Sequence, residues 1–360
     1  MPTTGEGIEI HGPLPKSGTN RFFPTPSAQL NCAVAVGQVN LRVAIIHPAG
    51  IARGAVEATE HGLRARGIDV VRHATRDLAD GIRAARGAVA TGSTLLVAAG
   101  GDGTVLSVLD ACVGGGAELA VLPLGTANDL ARHVGIESPE DVVDAITGGE
   151  RAVVDVGRCR FVDAAGQRAE LPFLTTAGVG ILADVARREH AGMSAWMKRV
   201  LGNACWPLLL GSAWFSSRPV PTRLELDNVR VELDLALFEI CKVPTPGGFL
   251  LAPDASLDSG ILHAWHFGKG TIVGFADDLV RGMAGRAGHL GSRRIEYLSR
   301  DPRANRSGAA AVRRIAIVPA EPLSVQVNGD YVGSTPAQFE VRPQSLRLVV
   351  PAGRRQSKKD

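Results

Sequence analysis

The chain has 360 residues, more than one hydrophobic core usually organises, so two domains are expected. Its 39 basic and 36 acidic residues leave a net charge of only +3, which argues against nucleic acid as a partner. The five cysteines are scattered and include no CxxC pair, which argues against a disulfide framework or a zinc site. The most apolar run, residues 203–215, is shorter than the roughly 20 residues that span a bilayer. These features predict a cytoplasmic protein without a transmembrane segment, with a peripheral position at a membrane as the alternative.

The first half of the chain has the pattern of an α/β domain. Residues 1–38 lack an apolar core and predict a disordered leader. From residue 39 to 149, buried β-branched runs alternate with stretches of helical spacing, which predicts an open parallel sheet covered by helices. One helix is marked by Ser138 as N-cap and by Pro139 at its first position.

The second half has a different pattern of apolar and polar residues. Strand-like runs with alternating apolar and polar residues predict an antiparallel β-sandwich over residues 150–339, interrupted by a helical insert near residues 183–210. The apolar strand within residues 340–352 is expected to return to the first domain, and residues 353–360 form a basic tail. Residues 194–215 and 281–294 are compatible with a membrane interface, although a core-facing helix and a solvated loop explain them as well.

A glycine turn with the sequence GGDGT follows the third predicted strand. Gly100, Gly101 and Gly103 let backbone N–H groups approach phosphate oxygens, and Thr104 can bind a phosphate or cap the next helix. Asp102 would repel phosphate unless a cation or a hydroxyl group lies between them, so it is predicted to organise magnesium or bind a hydroxyl. The alternative is a tight turn in which Asp102 only caps the helix.

A second polar turn, PLGTAND, follows the fourth predicted strand. Gly125 supplies the turn, and Thr126, Asn128 and Asp129 crowd polar side chains at a helix entrance, where they are predicted to bind a nucleotide. Ordinary helix capping explains one of these polar residues but not all three. His47, at the end of the first strand, is a further candidate nucleotide contact, with a satisfied loop histidine as the alternative.

These motifs resemble the catalytic region of diacylglycerol and sphingosine kinases, and most closely the soluble bacterial lipid kinases. GGDGT followed by LAVLPLGTANDLARHVGI carries the resemblance, which covers residues 41–352 and is strongest over residues 95–136. It implies an NAD-kinase- or phosphofructokinase-like α/β nucleotide domain and a C-terminal antiparallel β-sandwich domain. It also implies that ATP, with Mg²⁺, donates its γ-phosphoryl group to a diacylglycerol-like or sphingoid-like lipid hydroxyl at a membrane surface.

The chain departs from this family at several carboxylates. The segment APDASLDSGILHAW resembles a second-domain motif that carries the catalytic base immediately before glycine, where this chain has Ser259 preceded by Asp258. Both are therefore predicted catalytic residues. A serine hydroxyl stays protonated at neutral pH, however, and cannot serve as a base of the same strength as a carboxylate. The family's Asp-Gly-Glu is replaced by a segment running from Asn328 to Asp330, so Asp102 and Asp330 remain as predicted metal ligands.

Two further departures lie in the first domain. Ser107 stands where a glutamate follows GGDGT in the family, and His47 replaces the asparagine of an Asn-Pro pair. Together with Ser259 and Asn328, Ser107 motivates the alternative of a catalytically impaired kinase fold that binds a nucleotide or a lipid. A second alternative, an NAD kinase, is disfavoured by the GTANDLAR element, and a homodimer is left open.

Overall fold

The computed structural model describes residues 41–51, 53–192, 218–248, 251–267 and 308–353. Several sequence predictions concern residues that lie outside these ranges. They are the leader at 1–38, the stretches 194–215 and 281–294, and the basic tail beyond residue 353.

The first half forms a parallel sheet with helices between its strands. Its elements are β1 (Arg42–Pro48), α1 (Arg53–Arg64), β2 (Asp69–Thr75), α2 (Leu78–Ala90), β3 (Leu95–Gly100), α3 (Asp102–Gly115), β4 (Glu118–Pro123), α4 (Asp129–Val134) and α5 (Pro139–Gly148). The order β4-β3-β1-β2 is parallel throughout, which confirms the predicted open parallel sheet. Every residue of β3 is buried, as expected for a strand covered on both faces.

Local signals in the sequence explain where α5 begins. The side chain of Ser138 accepts a hydrogen bond from the backbone N–H of Asp141, and Pro139 occupies the first helical position. The Asp141 side chain bonds back to the backbone of Ser138, which completes a capping box. The predicted N-cap is thus confirmed.

The second half consists mainly of antiparallel strands. Its elements are β5 (Glu150–Val162), β6 (Arg168–Phe173), β7 (Thr176–Gly180), α6 (Ile181–Gly192), β8 (Val220–Leu226), β9 (Val229–Leu235), β10 (Leu237–Cys241), β11 (Leu262–Phe267), β12 (Gly308–Val312), β13 (Arg314–Pro319), β14 (Ser324–Val327) and β15 (Asp330–Val350). Strand β7 lies between β10 and β14, and β11 lies between β10 and β12.

Strand β15 joins the two halves of the fold. It pairs antiparallel with β5 along most of its length and parallel with β4 through Leu348 and Leu119. All described strands therefore belong to one mixed sheet. A separate sandwich domain with boundaries at residues 150 and 339 remains a prediction.

The apolar residues divide into two main clusters. The first gathers the buried faces of β1, β3 and β4 with the end of β15, and the second lies among the antiparallel strands. In the second cluster the rings of Phe173 and Phe339 meet edge to face, with centroids 6.4 Å apart. No helix in the described part of the chain is long and apolar enough to cross a membrane.

Candidate functional site

The two predicted glycine turns meet at the carboxyl edge of the parallel sheet. Gly100 at the end of β3 lies opposite Pro123 at the end of β4, and the N–H of Leu124 donates to the carbonyl of Gly100 at 3.0 Å. A Cβ atom on Gly125 would lie 2.5 Å from the Cα of Gly101. Only glycine permits this approach, so GGDGT and PLGTAND form one continuous backbone surface.

Helix α3 begins inside the first of these turns. The helix starts at Asp102, so Gly103 and Thr104 belong to its first turn and Thr104 is not its cap. Its N-cap is Gly101, which has no side chain to accept hydrogen bonds from the first N–H groups of the helix. The N-terminus of this 14-residue helix therefore favours an anion at the junction of the two turns.

Asp102 ties α3 to the start of α4. Its carboxylate accepts hydrogen bonds from the backbone N–H groups of Asp129 at 3.1 Å and Leu130 at 3.4 Å. Burial raises the pKa of Asp102, and these two hydrogen bonds oppose that rise. Asp102 thus caps the neighbouring helix, a long-range contact that the local sequence does not reveal.

The asparagine of PLGTAND closes its own turn. The Oδ1 atom of Asn128 accepts from the N–H of Gly125 at 2.9 Å, and its Nδ2 group donates to the carbonyl of the same residue at 2.7 Å. Asn128 adopts a left-handed conformation with φ of 50°, which asparagine tolerates better than most residues. Thr126, which lies between Gly125 and Asn128 in the sequence, is exposed.

Asp129 connects the α/β half to a loop of the second half. Its Oδ2 atom accepts from the N–H of Gly247 at 2.7 Å, within the short 3-10 turn Pro246–Gly248. Its Oδ1 atom is buried without a hydrogen-bond partner, although Arg132 lies 3.6 Å away. Burial raises the pKa of Asp129 to about 6, and the neighbouring charge of Asp102 adds to that rise.

His47 lies at the end of β1, on the same edge of the sheet. The parallel register sets Ile46 of β1 opposite Ala98 of β3, which brings these two strand ends side by side. The Nδ1 atom of His47 lies 3.1 Å from the carbonyl oxygen of Pro48. Its role as a nucleotide contact stays a prediction.

Asp258 and Ser259 lie in a turn before β11. Their side chains are therefore not bound to point to opposite faces of a sheet, as neighbouring side chains in a strand do. The hydroxyl of Ser256 donates to the carboxylate of Asp258, and the hydroxyl of Ser259 donates to the carbonyl of Ser256 at 3.2 Å. Gly260 follows with φ of 70°. Asp258 is half-buried and Ser259 is exposed, so both side chains belong to one turn at the surface.

Asp330 is brought directly to GGDGT. A Cβ atom on Gly103 would lie 2.3 Å from the Oδ2 atom of Asp330, so this carboxylate rests against the first turn of α3. Two residues earlier, Asn328 is buried and its Oδ1 atom accepts from the N–H and the hydroxyl of Thr175, at 3.2 Å and 3.0 Å. Asn328 therefore fixes the turn that presents Asp330.

Ser107 is a packing residue between α2 and α3. It is buried, and its hydroxyl donates to the carbonyl of Thr104 at 2.7 Å. A Cβ atom on Gly81 of α2 would lie 2.6 Å from the Cβ of Ser107. The two helices therefore approach each other closely at Gly81 and Ser107, where both side chains are small.

Three buried charged residues near the site were missed from the sequence. They are Asp155, Glu239 and Lys242. Each stands among apolar residues in the sequence, and this position is the one signal that could have identified them. Glu239 accepts a hydrogen bond from the side chain of Gln326 at 2.7 Å, and Gln326 in turn accepts from the N–H of Gly329 at 2.8 Å. These two hydrogen bonds link Glu239 to Gly329 through Gln326 and so support the turn before Asp330.

Only small sets of carboxylates are available to hold a cation here. Within the described ranges, no three His, Cys, Asp or Glu side chains form a metal-binding group. Asp129 nevertheless has a buried carboxylate oxygen without a hydrogen bond, and the carboxylate of Asp102 lies beside it. Magnesium is usually held by one or two carboxylates together with phosphate oxygens, so Asp102 and Asp129 fit such a cation.

Comparison with known proteins places these features in a family. Residues 43–159 match the family model described as the diacylglycerol kinase catalytic domain. The diacylglycerol kinase of Bacillus subtilis (strain 168) is 28% identical over 291 residues, covering 79% of this chain and 87% of that protein. A Pseudomonas aeruginosa (strain UCBPP-PA14) protein named "Probable lipid kinase YegS-like" is 30% identical over 313 residues, covering 86% and 94%.

A solved structure has the same fold. The crystal structure of a diacylglycerol kinase from Bacillus anthracis (strain Sterne) superposes with a TM-score of 0.55 at 18% identity. The match covers 86% of this chain and 96% of that one, so the common architecture extends well beyond the GGDGT region.

Proposed function

The chain belongs to the family of bacterial diacylglycerol kinases and YegS-like lipid kinases, and on this premise we propose that it transfers the γ-phosphoryl group of ATP to a lipid hydroxyl. The acceptor is a diacylglycerol-like or sphingoid-like lipid presented at a membrane surface. The NAD kinase alternative is set aside because these relatives are named as lipid kinases.

The contact between the two glycine turns is the observation that carries the proposal. Gly101 and Gly125 approach more closely than any side chain would allow, so both turns offer bare backbone to the same ligand. The uncapped N-terminus of α3 adds a partial positive charge at that point. Backbone N–H groups at a helix N-terminus suit the phosphates of ATP.

Asp102 and Asp129 are proposed to hold the Mg²⁺ that accompanies the nucleotide. The Oδ1 atom of Asp129, which accepts no hydrogen bond and lies 3.6 Å from Arg132, and the adjacent carboxylate of Asp102 supply oxygen ligands. Asp330, whose carboxylate rests against Gly103, is proposed to reach the cation through a water, since no three carboxylates of the described residues form a metal-binding group. The cation would neutralise phosphate charge during transfer.

Asp258 is the proposed proton acceptor. The lipid hydroxyl oxygen forms a bond to the γ-phosphorus as the bond to the β–γ bridging oxygen breaks, and ADP leaves. The hydroxyl proton passes to the Asp258 carboxylate, which the Ser256 hydroxyl orients. The Ser259 hydroxyl donates to a backbone carbonyl, so Ser259 is proposed to stabilise this turn. It takes no part in the proposed proton transfer, which Asp258 carries out.

A nucleotide-binding module without turnover is the second candidate. One observation favours it: the side chain at the position expected for the base, Ser259, is a hydroxyl engaged with the backbone. In that case the glycine turns would still bind ATP, and lipid phosphorylation would be absent.

The experiment is phosphoryl transfer from labelled ATP, with Mg²⁺, to diacylglycerols, sphingoid bases and phosphatidylglycerol in mixed micelles. We expect one lipid class to be phosphorylated by the wild type. Asp102→Ala should abolish the reaction, because it removes both a proposed metal ligand and the cap of α4. Asp144→Ala is the control, since Asp144 is exposed and pairs with Arg66 on the surface. ATP binding without any labelled lipid would instead support the binding module.

A further inference from the structure

Lys242 is a buried cation with an unusual environment. It follows β10, its side chain has no exposed surface, and its Nζ atom has no hydrogen-bond partner. A lysine in such a position is costly unless a negative charge compensates it. Among the described residues its ion-pair partner is Asp155, whose Oδ2 atom lies 3.8 Å from Nζ.

Asp155 is itself almost fully buried and organises two segments from a distance. Its Oδ2 atom accepts from the N–H of Gly260 at 2.6 Å, and its Oδ1 atom accepts from the N–H of Gln344 at 2.9 Å. Its own N–H donates to the carbonyl of Leu257 at 2.7 Å. Asp155 therefore holds both ends of the turn at residues 257–260, which includes Asp258 and Ser259.

The charge of Lys242 acts on this same group of residues. Burial lowers the pKa of Lys242 to about 8, while the neighbouring carboxylates of Asp155 and Asp258 raise it. The ammonium group thus lies within electrostatic reach of both carboxylates, although it makes no hydrogen bond to either. Its contribution is compensation of charge rather than a directed contact.

We propose that Lys242 is a positioning residue for the phosphoryl-acceptor side of the site: its buried ammonium group compensates Asp155, and Asp155 fixes the turn that presents Asp258. Without the cation, the Asp155 carboxylate would be left buried and uncompensated, and it would draw water or move outward. The turn at residues 257–260 would move with it. The catalytic part of this inference rests on the proposed kinase activity, whereas the positional part does not.

The test compares Lys242→Met with Arg66→Met, a control that removes a cation from an exposed ion pair. Hydrogen exchange of peptides covering Gly260 reports on the turn, and steady-state kinetics report on catalysis. For Lys242→Met we expect lost protection at Gly260 and a kcat lowered by up to about 100-fold, with the KM for ATP unchanged. The control should match the wild type in all three. A folded Lys242→Met with wild-type protection and kcat would overturn the proposal.

A double variant covers the case in which Lys242→Met does not fold. Combining it with Asp155→Asn removes both buried charges at nearly constant volume, so the double variant should fold better than Lys242→Met alone. Asp155→Asn alone is the reference, because asparagine keeps only one of the two acceptor oxygens that the N–H groups of Gly260 and Gln344 use. If Asp155→Asn folds and the double variant fails as Lys242→Met does, Lys242 does not act through Asp155. If the wild-type protein phosphorylates no lipid, the proposed function fails. The positioning role is then decided by two measurements that need no activity: hydrogen exchange at Gly260 and the folding of the variants.

Discussion

Replacing Gly125 by alanine perturbs the contact between the two glycine turns on which the proposed nucleotide site depends. The added Cβ would lie 2.5 Å from the Cα of Gly101, in a contact between two backbone segments that no side-chain rotation can relieve. Carbon atoms pack at about 3.5 Å or more, so the two turns must separate by about 1 Å. Overpacking of this kind costs about 1–3 kcal/mol of folding free energy.

The loss in catalysis should exceed the loss in stability. A displacement of about 1 Å in groups that position a substrate can lower the rate about 100-fold. We therefore expect kcat/KM for ATP to fall by about that factor in Gly125→Ala. Steady-state kinetics at varied ATP concentration, below the unfolding temperature of the variant, measure it.

Gly114→Ala is the matched control for this substitution. Gly114 lies near the end of α3, where an added Cβ meets no atom within 4 Å, so its activity should equal that of the wild type. A folded Gly125→Ala with wild-type kcat/KM for ATP would contradict this prediction, because the contact between the turns would then be irrelevant to nucleotide binding.

Three further predictions concern Asp258, Glu239 and the contact between Gly81 and Ser107. Asp258→Asn should lower kcat about 10²- to 10⁴-fold by removing the proton acceptor, and an unchanged rate in the lipid phosphorylation assay would exclude Asp258 from that role. Burial raises the pKa of Glu239 from 4.5 to about 8, so the folded protein keeps a proton that the unfolded chain loses in this interval. Stability should therefore fall as pH rises through this window, by up to about 1.4 kcal/mol per pH unit. Glu239→Gln should remove that slope in urea unfolding, and an unaltered slope would contradict the assignment. Gly81→Ala should cost about 1–3 kcal/mol because its Cβ would meet Ser107 at 2.6 Å. Gly87→Ala, in open space on the same helix, should gain up to about 1 kcal/mol, and equal unfolding free energies for the two variants would contradict the packing role of Ser107.

The parallel sheet could be predicted because its signals are local. Continuous apolar runs such as Leu95–Gly100 indicate strands buried on both faces, and the Ser138 cap marks a helix start within four residues. Glycine-rich turns after two of these strands also indicate their common edge, because parallel strands end on the same side.

The charged network could not be predicted because it depends on distant parts of the chain. Asp102 caps a helix 27 residues away, and Asp155 holds backbone groups 105 and 189 residues away. Lys242 in a strand sequence has the same appearance as a solvated lysine until the sheet around it is known. The packing of Ser107 likewise depends on Gly81 of another helix, a contact that the sequence around Ser107 does not reveal.

The ratio of ADP formed to lipid phosphate formed is the most direct test of the proposed kinase activity. Purified protein is incubated with ATP, Mg²⁺ and the preferred lipid, and both products are quantified over time. We expect ADP and lipid phosphate to appear in equal amounts and both to be lost in Asp102→Ala. ADP without lipid phosphate, or nucleotide binding without either product, would contradict it.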